Sequence, residues 1–151
     1  MQDVYFDTII ASALDILNNS FSIDAKESKR FTCSEITPML GVVIIIGLVG
    51  DASGRVILDM SQDTALKIAT IMNEEELSEF DKLASSTLTE LSNIIVGNAV
   101  TNLHELGYKL DITPPALLLG DNLKFTDKDV EAQVVQLDLS IGIIEINIAL
   151  K

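Results

Sequence analysis

Five consecutive β-branched residues, Val42-Val-Ile-Ile-Ile46, occupy the middle of the run Gly41 to Val49. Branching at Cβ restricts rotamers in a helix but suits a pleated sheet, and the run is too short for a globular helix. It predicts a strand. Arg55 to Met60 follows across Gly50-Asp-Ala-Ser-Gly54, which makes the pair a β-hairpin. Ala132 to Leu139 and Gly142 to Leu150 form a second pair. There Ile144, Ile146 and Ile148 alternate with Glu145 and Asn147, the period of a strand with one face on a core.

Helical spacing fills the intervals. From Gln2 to Asn18, Ile9, Ile10, Ala13, Leu14 and Leu17 share one face, with Asp7, Ser12 and Asp15 elsewhere. Asp24 to Arg30 is a polar stretch. Ser61 offers an N-cap for a short helix that runs through Ala65, Leu66, Ile68, Ala69 and Met72 to Asn73, with Asp63 in its first turn. The longest helix is expected from Ser78 to Glu105: Phe80, Ala84, Leu88, Leu91, Ile95 and Ala99 step by threes and fours, and Gly107 suits the C′ position. Lys109 to Ile112 then runs into Thr113-Pro114-Pro115, which interrupts ladder pairing before Ala116 to Leu119.

The elements repeat. A helix, Phe21-Ser-Ile-Asp24 and a hairpin are followed later by a helix, Tyr108-Lys-Leu-Asp111 and a hairpin, an offset of 111 − 24 = 87. Two similar halves imply an α+β fold: one β-sheet of hairpins packed against two long helices, with the Ser61 helix as connector. No linker divides residues 1–151, so one domain is expected.

Composition excludes several function classes. With 23 acidic and 10 basic residues the net charge is −13, which disfavours nucleic acid and anionic membrane surfaces and favours a protein partner. At 48% hydrophobic and 22% charged the chain has material for a core, so disorder is excluded. Residues 36–50, the longest uncharged stretch, fall short of the ~20 residues that span a bilayer. Asp3 and Asp7 stand where a secretory signal carries Lys or Arg, so a cytoplasmic location is expected. A single cysteine, Cys33, and a single histidine, His104, cannot furnish a zinc site. Cys33 reads as a small half-buried residue and His104 as a solvated or capping group near a helix C-terminus. Gly47, Gly50 and Gly54 lie in a hairpin and match no phosphate-binding loop.

What remains is the polar face of the longest helix, where Ser86, Glu90, Asn93 and Gly97 lie four, three and four residues apart on one stripe. Asn93 and Gly97 are both poor mid-helix residues, Gly costing ~1 kcal/mol relative to Ala, which points to the close approach of something at this face.

Ser86-Thr-Leu-Thr-Glu90-Leu-Ser-Asn93, continuing through Gly97-Asn98-Ala99 to Pro115, resembles the signature of the CheC/CheX/FliY phosphatases of bacterial chemotaxis. Gly47 to Val56, with the Thr64 to Ala69 helix, is most similar to the CheX branch. The family proline falls about one residue later than Pro115, so either Pro114 or Pro115 could take its part. The resemblance implies hydrolysis of the aspartyl phosphate of a CheY-like response regulator. Asn93 would orient the attacking water and Glu90 would pair with the partner's active-site lysine, while Ser86, Gly97, Asn98 and Pro115 support or contact the partner. Magnesium would be supplied in the partner's site, with no cofactor or metal of the chain's own. The family's two halves explain the repeat. The offset sets Asp3 against Glu90 and Phe6 against Asn93, so the first half lacks the amide; Asp15 with Asn18 is an alternative echo. A homodimer is implied too, with Gly142 to Leu150 expected to be an exposed edge strand for the pairing. The alternatives are a non-catalytic adaptor that binds a receiver domain or flagellar switch component through the same face, and a domain of this fold whose partner is not chemotactic.

Overall fold

The computed structural model describes residues 2–33, 40–120 and 131–151. Helix α1 (Gln2–Asp15) leads through a π-helical turn (Ile16–Ser20) into β1 (Ala25–Cys33), followed by β2 (Val42–Gly50), β3 (Gly54–Met60) and α2 (Gln62–Asn73). The second half is α3 (Lys82–Glu105), β4 (Leu110–Ile112), β5 (Ala116–Leu119), β6 (Ala132–Leu139) and β7 (Gly142–Leu150). Among the described residues one sheet takes seven strands in the order β1-β6-β7-β3-β2-β4, with β5 also on β2 and every pairing antiparallel. The two hairpins meet at β3 and β7, in register from Gly54 opposite Leu150 to Met60 opposite Ile144. Each half sends the strand after its long helix across to the other half's hairpin: β1 pairs β6, while β4 and β5 pair β2. The strand order is therefore symmetric about the β3–β7 junction.

Alternation puts one face of each central strand under the helices. Val42, Ile44, Ile46 and Leu48 of β2, Val56, Leu58 and Met60 of β3, and Ile144, Ile146, Ile148 and Leu150 of β7 are at most 6% exposed. On them pack Ile9, Ala13 and Leu17 from the first helical segment, Leu88, Leu91, Ile95 and Ala99 of α3, and Ala65 and Ile68 of α2. Each large aliphatic side chain removed from water contributes roughly 1.5–3 kcal/mol before entropy is counted, so this layer is the source of the fold's stability.

Two boundaries, one strand and one placement differ from the sequence reading. The α-helical part of α1 stops at Asp15 and widens into the π turn. There the Asn18 carboxamide donates to the carbonyls of Leu14 (2.9 Å) and Ala25 (3.0 Å) and accepts from Ala25 N–H (2.9 Å). Those bonds offset the lost helical ones and start β1. The polar stretch at Asp24 to Arg30 falls largely within β1, nearly all of it exposed, because an edge strand needs only its ladder to β6 and not an apolar face. Arg30 fastens this edge to α1, pairing with Asp7 (2.7 Å) and Glu27 (2.6 Å) over the Phe6 ring.

Helix α3 begins at Lys82 rather than Ser78, because Asp81 takes an extended backbone and accepts from Ala84 N–H at 3.0 Å. Its C-terminus is a Schellman turn: Tyr108 N–H donates to Leu103 O and Gly107 N–H to His104 O, with Gly107 at φ +96°. Finally, Gly142 to Leu150 is no edge. β7 lies between β6 and β3, and Asn147, at an odd position of its alternation, is 9% exposed. Pairing on both sides consumes the backbone groups that a dimer partner would have used, and among the described residues the sheet ends at β1 on one side and at β4 with β5 on the other.

Candidate functional site

Leu88, Leu91 and Ile95 on α3 are 0% exposed, while Ser86, Glu90 and Asn93 lie on its exposed face. The sets are opposite faces of one amphipathic helix. Burying the apolar face on the sheet turns Glu90 and Asn93 outward together, at the ~5–6 Å spacing of helical i, i+3 neighbours. A carboxylate and a carboxamide thus project side by side from a backbone fixed along 24 residues. Glu90 supplies fixed negative charge and hydrogen-bond acceptors; Asn93 supplies one acceptor and two donors with no titratable proton.

The other candidates separate. Ser86 lies on the exposed stripe, one turn before Glu90. Gly97 is half-buried one turn beyond Asn93, yet a Cβ built on it meets nothing within 4 Å. Among the described residues, therefore, nothing outside its own helix approaches it closely. Asn98 turns away from the stripe: its Nδ2 donates to Ser12 Oγ at 3.0 Å, and Ser12 Oγ donates to Ile95 O at 2.6 Å. These bonds tie α1 to α3. Ser12, which the helical wheel set among the polar residues, is 2% exposed in this tie. A hydroxyl among Ile9, Ile10 and Ala13 is the only sequence signal for it.

Pro115 is half-buried and Pro114 exposed at the break between β4 and β5. The break is a bulge: Leu48 pairs Ile112 and Ile45 pairs Ala116, so residues 113–115 stand opposite only residues 46 and 47. Thr113 rescues the ladder, its N–H donating to Gly47 O (2.9 Å) and its Oγ1 accepting from Gly47 N–H (2.8 Å). A Cβ at Gly47 would stand 2.9 Å from that hydroxyl, so this glycine is required by internal packing. His104 lies at the helix end with Nε2 2.8 Å from Leu110 O and 3.2 Å from Leu110 N, joining α3 to β4.

A second polar feature lies on the sheet face turned away from the helices. Asp59 of β3 is 2% exposed, and its oxygens accept from Leu40 N–H (2.8 and 3.1 Å) and from Gly41 N–H. Burial, assisted by Glu145 across the strand pair, pushes its carboxyl up to about 7 against the opposing pull of those N–H groups. Its distance in the fold from α3, across the sheet, separates it from the Glu90 stripe. Among the described residues no group of three or more His, Cys, Asp or Glu is placed to hold a metal ion, and no helix is long and apolar enough to cross a membrane.

The family model for the chemotaxis phosphatase CheX matches residues 42–137, which include the first hairpin, α2, α3 and most of β6. The chain belongs to the CheX family of chemotaxis phosphatases. A CheX relative from Thermotoga maritima named CheY-P phosphatase is 34% identical over 119 residues, 78% of this chain and 77% of its own length. The solved complex of CheX with CheY, BeF3 and magnesium from Borrelia burgdorferi superposes with a TM-score of 0.84 at 37% identity, covering 97% of each chain. A CheC-like protein from Shewanella, 22% identical, has the same fold, with a TM-score of 0.90 over 100% of this chain and 99% of its own.

Proposed function

We propose that this CheX family member hydrolyses the aspartyl phosphate of a CheY-like response regulator, with Asn93 and Glu90 as its reacting face. The observation that carries the reading is their joint exposure on one stripe of α3 while the opposite face is sealed in the core. The relative named CheY-P phosphatase and the CheX–CheY complex support the choice of substrate.

An aspartyl phosphate is an acyl phosphate with a good leaving group, so orientation and charge are what a catalyst must add. Asn93 enters the partner's site and holds a water in line with phosphorus, its carbonyl accepting from the water. The water oxygen bonds to phosphorus as the bond to the aspartyl oxygen breaks. The aspartate leaves as carboxylate, and both protons of the water stay with the departing inorganic phosphate, released as dihydrogen phosphate. Magnesium in the partner's site would supply countercharge to the phosphoryl oxygens; the solved CheX relative was crystallised with CheY, BeF3 and magnesium together. Glu90 pairs with the partner's active-site lysine and fixes the register of docking. Ser86 extends the contact by one turn, and Asn98 and Pro115 hold the elements behind it. The protein acts in the cytoplasm, as a single domain, and pairs as a homodimer, though not through β7, which is paired on both sides.

Incubation with phosphorylated receiver domains, following acyl-phosphate decay, tests the assignment. Asn93→Ala should lower the maximal rate on the order of 10²-fold or more with binding nearly unchanged, because alignment of water matters chiefly in the transition state. Glu90→Ala should weaken binding as well, since its ion pair forms in both states. Full turnover by Asn93→Ala would refute the catalytic role and leave an adaptor that binds without hydrolysis.

A further inference from the structure

Gly97 stands in the interior of α3, where a glycine weakens a helix relative to alanine. Two internal reasons justify a glycine in a fold: a backbone angle that side chains avoid, or a neighbour where the Cβ would be. Gly50, Gly54, Gly107 and Gly142 have positive φ, and Gly47 has Thr113 against it. Gly97 has neither. Its φ is ordinary, and among the described residues no atom beyond its chain neighbours and the adjoining backbone of its own helix lies within 4 Å of a Cβ built there.

Its position narrows the explanation. Asn93 is one turn before it and Thr101 one turn after, both exposed on the same side of the helix. Thr101 Oγ1 donates to the Gly97 carbonyl at 3.1 Å, which draws that hydroxyl down onto the helix backbone. Within a rise of ~6 Å the stripe therefore drops from a carboxamide to bare main chain. An approach that stopped at normal side-chain distance would be met equally well by alanine. Only contact closer than a Cβ permits calls for glycine, and main chain packing on main chain is such a contact.

We propose that Gly97 is a docking notch on which the main chain of the receiver domain, in a loop beside its phosphorylated aspartate, packs directly, and that this contact sets how deeply Asn93 enters the site. The inference rests on the phosphatase reading of Glu90 and Asn93 and adds a positioning residue to it. A methyl group at the notch holds the two main chains apart by roughly 1 Å, and a misplacement of that size costs on the order of 10²-fold in rate.

Gly97→Ala and Gly97→Leu are compared with the unaltered chain by thermal melting, by affinity for a beryllofluoride-activated receiver domain with magnesium, and by kcat/KM for its phosphorylated form. Gly97→Ala should melt at or above the temperature of the unaltered chain, because alanine favours the helix, yet bind at least 10-fold more weakly and lose about 10²-fold in kcat/KM. Gly97→Leu should lose more. Unchanged affinity and kcat/KM in Gly97→Ala would overturn the notch while leaving the phosphatase reading intact; a loss that tracks a lower melting temperature would overturn it also. An unaltered chain that binds the activated receiver without hydrolysis would refute the phosphatase reading, and the affinity comparison alone then decides the notch. Absence of binding by the unaltered chain would refute both.

Discussion

Replacing Asp59 by asparagine should change the slope of stability against pH. In the folded chain the Asp59 carboxyl is pushed from 3.8 up to about 7, chiefly by burial. Folding therefore disfavours its ionised form, whatever the Leu40 and Gly41 N–H groups return. The sign follows from proton counts: between pH 4 and 7 the folded state keeps a proton on Asp59 that the unfolded state has released, so stability must fall as pH rises through that window. The contribution is fully present below about pH 4 and gone above about pH 7. Moving the carboxyl from 3.8 to about 7, at 1.36 kcal/mol for each pH step of one, gives an upper figure of ~4 kcal/mol. Asparagine keeps an acceptor for the same N–H groups and carries no proton. Other carboxylates also titrate, but their effects cancel in the difference between variant and unaltered chain. Urea unfolding at pH 4.5, 5.5, 6.5 and 8, with unchanged m-values as the check on comparability, should show that difference moving in favour of Asp59→Asn by about 2–4 kcal/mol as pH rises. A difference constant within about 0.5 kcal/mol, or one moving the other way, would refute the claim that burial outweighs the N–H groups.

Further expectations concern the scaffold behind the stripe. Leu91→Ala should cost about 2–5 kcal/mol in urea unfolding, since the side chain is 0% exposed between α3 and the rest of the core; a cost below 1 kcal/mol would mean that the site collapses without a cavity. Ser12→Ala should cost about 1–3 kcal/mol by leaving Asn98 Nδ2 without its acceptor, and Ser12→Ala/Asn98→Ala together should cost less than the sum of the two single changes; strict additivity would show that the three groups do not act as one network.

How far the residues themselves disclosed this fold depended on whether a pattern was local. The hairpins were legible because alternation at Ile144, Ile146 and Ile148 and the β-branched run at Val42 to Ile46 are decided by neighbours in the chain. The Ser61 cap was legible for the same reason, its Oγ accepting from Thr64 N–H at 3.1 Å. β1 was not, because an edge strand with Lys26, Glu27, Lys29 and Arg30 exposed has no apolar period; its existence depends on β6, more than a hundred residues away. The same non-locality misassigned β7. Its own alternation says only that one face is buried, and which strands flank it follows from the exchange of β1 and β4 between halves. At the site, the motif placed Glu90 and Asn93 on the outer face of α3 correctly, since helical spacing fixes that. Asn98 has the same spacing logic but lies where α1 crosses, and only the crossing decides that it bonds Ser12.

The two halves also show why an exposed Glu-Asn stripe occurs once among these helices. Counting back 87 from Glu90 and Asn93 reaches Asp3 and Phe6 on α1, and Phe6 is 3% exposed beneath the Arg30 guanidinium, 4.8 Å from its ring. An amide at that position would be buried under a cation and a strand edge rather than offered to a partner. The other echo fails for a different reason: the Asn18 carboxamide bonds main chain at Leu14 in α1 and at Ala25 at the start of β1, so it is consumed in ending α1. Ser12, on the same helix, is committed to Ile95 of α3. α1 has thus committed Ser12 and Asp7 to internal ties, and the Ser12 tie braces the backbone of α3 two residues beyond Asn93. A reaction that needs one carboxamide held in place rather than a nucleophile, a base or a metal gains from that division: one helix of the pair serves as the rigid support, which frees the other to present Glu90, Asn93 and the bare turn at Gly97.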